Sequence, residues 1–160
     1  MQPATHPTAL RVAALLAEAG LPAQVVEFEQ STKTSAEAAE AIGCAVAEIA
    51  KTIVFRRKDD GSAVLVVACG DNRVSEKKVK ALVGATIERA DADFVRAATG
   101  YAIGGVCPVG LPAGLHVLLD ADLQRFARLW AAGGTPNAVF PLTPAALQQL
   151  TGSDWADVRQ

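Results

Sequence analysis

Two apolar runs, KTIVFRRK from residue 51 and SAVLVVACG from residue 62, flank the triplet DDG at 59–61. Both runs are rich in β-branched residues, and Asp-Gly is a strong local signal for a tight hairpin. A sheet is therefore fixed near the middle of the chain, and the other elements must pack around it. Helical periods lie on both sides. TALRVAALLAEAG carries apolar residues at helical spacing and stops on Gly20. TSAEAAEAIG opens with the capping pair Thr34 and Glu37 and stops at Gly43. AVAEIA adds a further helical turn.

Ser75 and Asp91 are positioned to cap EKKVKALV and ADFVRAAT. Thr143 and Pro144 open the helix TPAALQQLTG. The spacing also predicts an amphipathic helix over ADLQRFARLWAAGG. AQVVEF, TIERA, LHVLLD, NAVFPL and WADVRQ read as short strands. Strands and helices intermingle without strict alternation, which predicts an α+β fold: a mixed, curved, barrel-like sheet surrounded by helices. No G-x-G-x-x-G follows the first strand and no phosphate-binding P-loop occurs, which argues against a doubly wound nucleotide fold. With 160 residues, 51% apolar and 20% charged, residues 1–160 are expected to form one domain with a real core.

No apolar run reaches membrane-spanning length, and the first ten residues lack a signal-peptide pattern. Cys44, Cys69 and Cys107 are odd in number and far apart, which fits reduced thiols in a cytoplasmic protein. The net charge is −2, yet residues 51–80 hold eight Lys and Arg against four acids. Arg56, Arg57, Arg73, Lys77 and Lys78 are thus candidates for meeting a phosphate-bearing partner, with a solvated surface as the competing reading.

The stretch GYAIGGVCPVG at 100–110 is unlike a strand, because glycine weakens strands and proline removes a donor. Gly104, Gly105, Val106 and Cys107 offer successive main-chain N–H groups before Pro108. Such amides form an anion nest or hold an ester carbonyl and its oxyanion; a glycine bulge at a strand crossing explains the composition equally well. Lys51 shares a strand face with Ile53 and Phe55. On the core side its ammonium needs a cleft, a carboxylate or an anionic ligand; otherwise it snorkels to water. Asp120 is a candidate partner for it and also a candidate helix cap. His6 and His116 are the two histidines, and no metal-ligand spacing, nucleophile elbow or supported Cys–His pair accompanies them. The inventory predicts no metal and no cofactor.

Taken in order, AKTIVFR, TGYAIGGVCPVG, a strand ending in Asp120, and GTPNAVFPLTPAAL resemble the YbaK-like family, free-standing relatives of the editing domain of bacterial prolyl-tRNA synthetases. The resemblance runs from about residue 31 to the C-terminal helix. It implies hydrolysis of the ester on a mischarged tRNA, most often Cys- or Ala-tRNA for proline, with tRNA and prolyl-tRNA synthetase as the implied partners and no DNA or membrane. It assigns the family lysine to Lys51, the Gly-x-x-x-Pro loop to Gly104–Pro108 and the acidic position to Asp120. It also implies that no side chain serves as nucleophile or base. Cys107 departs from the serine common at that position. A non-catalytic tRNA- or synthetase-binding module of the same fold is the alternative.

Overall fold

Each helix starts where an oxygen or nitrogen side chain can satisfy a first-turn amide. The computed structural model describes residues 1–32 and 34–160. In chain order these contain β1 (Gln2–Pro3), α1 (Pro7–Glu18), β2 (Val26–Glu27), α2 (Ser35–Ile42), β3 (Ile49–Arg57), β4 (Ala63–Cys69), α3 (Glu76–Val83), β5 (Ile87–Arg89), α4 (Ala92–Thr99), β6 (His116–Asp120), β7 (Leu129–Ala132), β8 (Ala138–Leu142), α5 (Pro144–Thr151) and β9 (Trp155–Ala156). The side chains of Thr34, Ser75, Asp91 and Thr143 accept from the amides of Glu37, Lys78, Phe94 and Ala146. His6 caps α1 by accepting from Thr8 N.

β3 and β4 form the expected antiparallel hairpin, with Ala50 opposite Cys69 and Arg56 opposite Ala63. The sheet runs β1-β2-β8-β7-β3-β4-β6-β9, and β5 joins β3 off that path. The pairs β3–β7, β4–β6 and β6–β9 are parallel. The fold is therefore the mixed α+β type expected. Both faces of the hairpin are covered. Val54, Leu65, Val67 and Cys69 belong to the larger core with Val12 and Leu16 of α1 and with Phe140 and Leu147. Phe55, Val64, Val66 and Ala68 pack with Val79 of α3 and Val158. Each such side chain contributes about 1.5–3 kcal/mol on full burial. A third cluster joins Ala38 and Ala39 of α2 to Ile49, Trp130 and Val139.

One expected element is corrected. Residues 121–125 make a 3-10 turn only, and 129–132 are strand β7 rather than the end of an amphipathic helix. The open edges of β3 and β8 take up this segment, with Ala131 opposite both Ala50 and Phe140. Leu129, Trp130 and Ala131 are buried, so tertiary pairing overrides the helical period.

β3 changes neighbour along its length. Its first residues, Ile49 and Ala50, pair with β7, and its last, Phe55 to Arg57, pair with β5. The sheet splits between them, and a cavity lined by residues 49–53 lies beside that split.

Candidate functional site

The glycine segment is a folded-back loop held at both ends by Tyr101. The buried tyrosine hydroxyl donates to Val109 O at 2.5 Å, and the Tyr101 amide donates to Thr99 Oγ1. Gly104 has φ +84°, a conformation that disfavours any side chain. Gly105 is required for a different reason: a Cβ there would lie 2.7 Å from Thr135 Cα. The loop therefore rests directly on the main chain of the segment after β7.

Four amides were expected to converge here. Gly105 is the exception, because its N–H closes a turn by donating to Ala102 O at 2.9 Å. It is not free to meet a ligand. Among the described residues, no acceptor pairs with the amides of Gly104, Val106 or Cys107. Pro108 follows, and Cys107 is fully buried.

Lys51 is half-buried on β3. Its Nζ donates to Asn72 O at 2.7 Å and Gly70 O at 3.2 Å. An ammonium has three donors, so one remains for a ligand. Burial lowers the Lys51 pKa below the ordinary lysine value, while the charges of Asp71, Cys69 and Asp120 oppose that shift. The two carbonyls are held in turn by Asp120. Its Oδ2 accepts from Cys69 N at 3.1 Å and Asn72 Nδ2 at 2.8 Å, and its Oδ1 accepts from Asp122 N at 3.0 Å. Asp120 is 1% exposed. It thus caps the 3-10 turn, one of the two roles considered from the sequence, and fixes the 69–72 loop; it makes no direct contact with Lys51, and the link between them runs through Asn72.

Lys51 and Gly104 line the same cavity, of about 260 Å³. Thr52, Ile53 and Val106 form its wall towards a smaller neighbouring cavity that also includes Arg89. The opposite wall is apolar, made by Ala38, Ile49, Trp130 and Val139. No histidine, cysteine or carboxylate lines it among the described residues. Asn72, Thr52 and Trp130 were not singled out from the sequence. Nothing local marks Asn72 as a partner of Lys51, or Thr52 and Trp130 as neighbours of the glycine loop, across tens of residues of chain.

Three of the five candidate cations are engaged by acids. Arg56 pairs with Glu88 at 2.9 Å, Arg57 with Asp59 at 2.7 Å, and Lys78 with Asp157 at 2.9 Å. Glu88 and Asp157 come from outside residues 51–80, which sequence counting could not anticipate. Arg73 and Lys77 are exposed and have no acid within ion-pair distance among the described residues. Burial pushes the Cys107 thiol up to about 12, which makes a thiolate nucleophile unfavourable. His116 is exposed at the start of β6. Among the described residues, no group of three His, Cys, Asp or Glu has a metal-binding arrangement, and no helix is long and apolar enough to cross a membrane.

The chain is similar to several known proteins. The chain is 39% identical over 135 residues to the uncharacterized protein YwhH of Bacillus subtilis, covering 84% of this chain and 85% of YwhH. It is 27% identical over 120 residues to EbsC of Enterococcus faecalis, which carries the provisional name Cys-tRNA(Pro)/Cys-tRNA(Cys) deacylase; the match covers 75% of this chain and 73% of EbsC. A solved structure described as a candidate trans-editing enzyme for prolyl tRNA synthetase superposes with a TM-score of 0.90 at 42% identity, over 98% of this chain and 99% of that one. Residues 29–150 match the aminoacyl-tRNA editing domain. The chain, with its lysine and glycine loop on one cavity, belongs to the aminoacyl-tRNA editing domain family.

Proposed function

We propose that this protein is an aminoacyl-tRNA deacylase acting in trans on mischarged tRNA, with Cys- or Ala-tRNA for proline as the first substrates to test. One observation carries the reading: the Lys51 ammonium and the unpartnered amides of Gly104 and Val106 border a single cavity without a nucleophilic cysteine, a histidine or a carboxylate. Its volume lies just below the range of about 300–1,000 Å³ typical of drug-sized ligands, which suits a small aminoacyl group and part of its ribose.

In this reading, Gly104 and Val106 donate to the ester carbonyl as it becomes an oxyanion. Such donors contribute roughly 2.7–4 kcal/mol each to the transition state. Lys51 uses its third donor to hold the terminal nucleotide's phosphate or the polar end of the substrate. Asp120 acts through Asn72 as a positioning residue, which replaces a direct contact with the substrate's ammonium. A water oxygen attacks the acyl carbon, the bond from that carbon to the ribose oxygen breaks, and the water's proton ends on the ribose oxygen. The products are the free amino acid and intact tRNA. With cysteine as substrate, the substrate's own thiol is an alternative attacking group: its sulfur bonds to the acyl carbon, the bond from that carbon to the ribose oxygen breaks, the thiol proton ends on the ribose oxygen, and the amino acid leaves as its cyclic thioester. Arg73 and Lys77 are the cations best placed to meet phosphates, because they are not engaged by acids. Arg56, Arg57 and Lys78 must first exchange an ion pair. Pro108 stiffens the loop, and Cys107 fills the space beneath it.

The test is a panel of mischarged tRNAs (Cys, Ala and Ser on the proline tRNA) incubated with wild type and Lys51→Ala. Loss of the acyl group with wild type and at least a tenfold slower loss with Lys51→Ala is expected. Equal rates remove Lys51 from the mechanism. Binding of uncharged tRNA with no turnover of any member identifies a binding module instead.

A further inference from the structure

The break in the sheet beside the cavity leaves one residue of β3 without a neighbour. Ile49 O accepts from Gly70 N, and Arg57 N donates to Ser62 O. The odd-numbered residues of β3 therefore turn their main-chain groups towards β4, and the even-numbered ones turn towards the opposite edge. On that edge Ala50 is matched with Ala131 of β7. Val54 O accepts from Ala90 N at 3.4 Å, and Arg56 is matched with Glu88 of β5. Thr52 lies between them with no ladder partner for its N–H or C=O among the described residues. Its Oγ1 is buried and unpartnered as well. Three polar groups without partners on one residue are unusual, because buried polar groups are nearly always satisfied. Thr52 lines the cavity together with Lys51, Gly104 and Val106.

The gap is one residue wide. An α-aminoacyl ester contains N, Cα and C=O in the order of one residue of a strand. Two facing residues of an antiparallel ladder exchange both N–H···O bonds, and extended segments commonly bind by adding to an exposed sheet edge. We propose that the aminoacyl group docks as the missing strand residue opposite Thr52, its α-amino group donating to the Thr52 carbonyl and its ester carbonyl accepting from the Thr52 N–H. The inference rests on the deacylase reading and deepens it. It assigns the amine a main-chain acceptor in a cavity that has no carboxylate wall, and it adds a third amide donor to the ester carbonyl beside Gly104 and Val106. Because the contacts are to the acyl main chain, they are independent of the amino-acid side chain. They demand a free amine.

The experiment compares the aminoacyl-tRNA that wild type removes fastest with its des-amino acyl counterpart, for example alanyl- against propionyl-tRNA. Each rate is divided by the spontaneous hydrolysis rate of the same ester. The acceleration should be at least about tenfold greater for the amine-bearing ester, as expected for loss of one charge-assisted hydrogen bond. Thr52→Pro removes the N–H that faces away from β4, so the hairpin ladder is kept; deacylation should fall at least about tenfold with an unchanged circular dichroism spectrum. Equal acceleration of the two esters overturns the proposal, as does a folded Thr52→Pro variant that keeps the wild-type rate. If Thr52→Pro does not fold, the ester pair decides by itself. A wild type that leaves every aminoacyl-tRNA intact is a different result and removes the deacylase reading itself.

Discussion

Lys51 and Asp120 meet through Asn72, which accepts from the ammonium at its main-chain oxygen and donates its side-chain amide to the carboxylate, at 2.7 Å and 2.8 Å. The cation is thereby held at the cavity by carbonyl oxygens and not by a direct ion pair. Asp120→Asn should break this relay. The carboxylate accepts three donors, and an amide nitrogen in its place sets a donor against a donor. A loss of about 1–3 kcal/mol is expected in urea unfolding, together with slower deacylation because the 69–72 loop no longer fixes Lys51.

Gly104 and Gly105 should respond differently to alanine. At Gly105 the new Cβ meets main-chain atoms of Thr135 at 2.7–2.9 Å, which no side-chain rotation relieves. Overpacking of this kind costs about 1–3 kcal/mol or more. At Gly104 the nearest atoms belong to Pro136 at 3.8 Å, so space is available and only the positive φ is penalised, by about 1–2 kcal/mol. Thermal unfolding of both variants checks the order, with Gly105→Ala the less stable.

The lowered Lys51 pKa has a definite sign for stability. Burial disfavours its charged form in the folded protein, so the unfolded chain holds that proton more tightly. The cost is fully present below the folded value and is relieved as pH rises from there towards the ordinary lysine value of 10.5. Relative to Lys51→Met, which has no group to titrate there, wild type should therefore gain stability as pH rises across that alkaline window. Urea midpoints of the two proteins, measured from pH 7 to 10.5, give the comparison.

Thiol labelling should follow burial. The thiols of Cys69 and Cys107 are buried and pushed up to about 11 and about 12. Cys44 is only partly covered, although burial raises its pKa too. Iodoacetamide at mildly alkaline pH should add one group, at Cys44, to the folded protein and three after unfolding, as read by intact mass. Cys107→Ser should retain deacylation, since no step uses that sulfur.

Local chemistry made most of the fold legible. Caps at Thr34, Ser75, Asp91 and Thr143 and the Asp-Gly turn act within a few residues, so they are visible in a short window. Segment 121–134 was not legible, because Leu129–Ala132 becomes a strand only when β3 and β8 receive it. Lys51, Gly104 and Asp120 were marked by residue type and order. Their connections were not: the relay through Asn72 and the unmatched main chain of Thr52 arise only from how distant strands meet and diverge, and the Gly105 amide is consumed by the shape of its own loop, in a turn to Ala102. The same holds for Arg56 and Lys78, whose acids Glu88 and Asp157 lie far along the chain.

The strand order also governs when the molecule can assemble. Val26 lies beside Val139, and β4 finds its outer neighbour only at β6. During synthesis, then, the hairpin can form early, but the N-terminal strands must wait until nearly the whole polypeptide has left the ribosome. Until then, the edges of β3 and β4 stand open to other chains, which makes the nascent state the one most in need of chaperone cover.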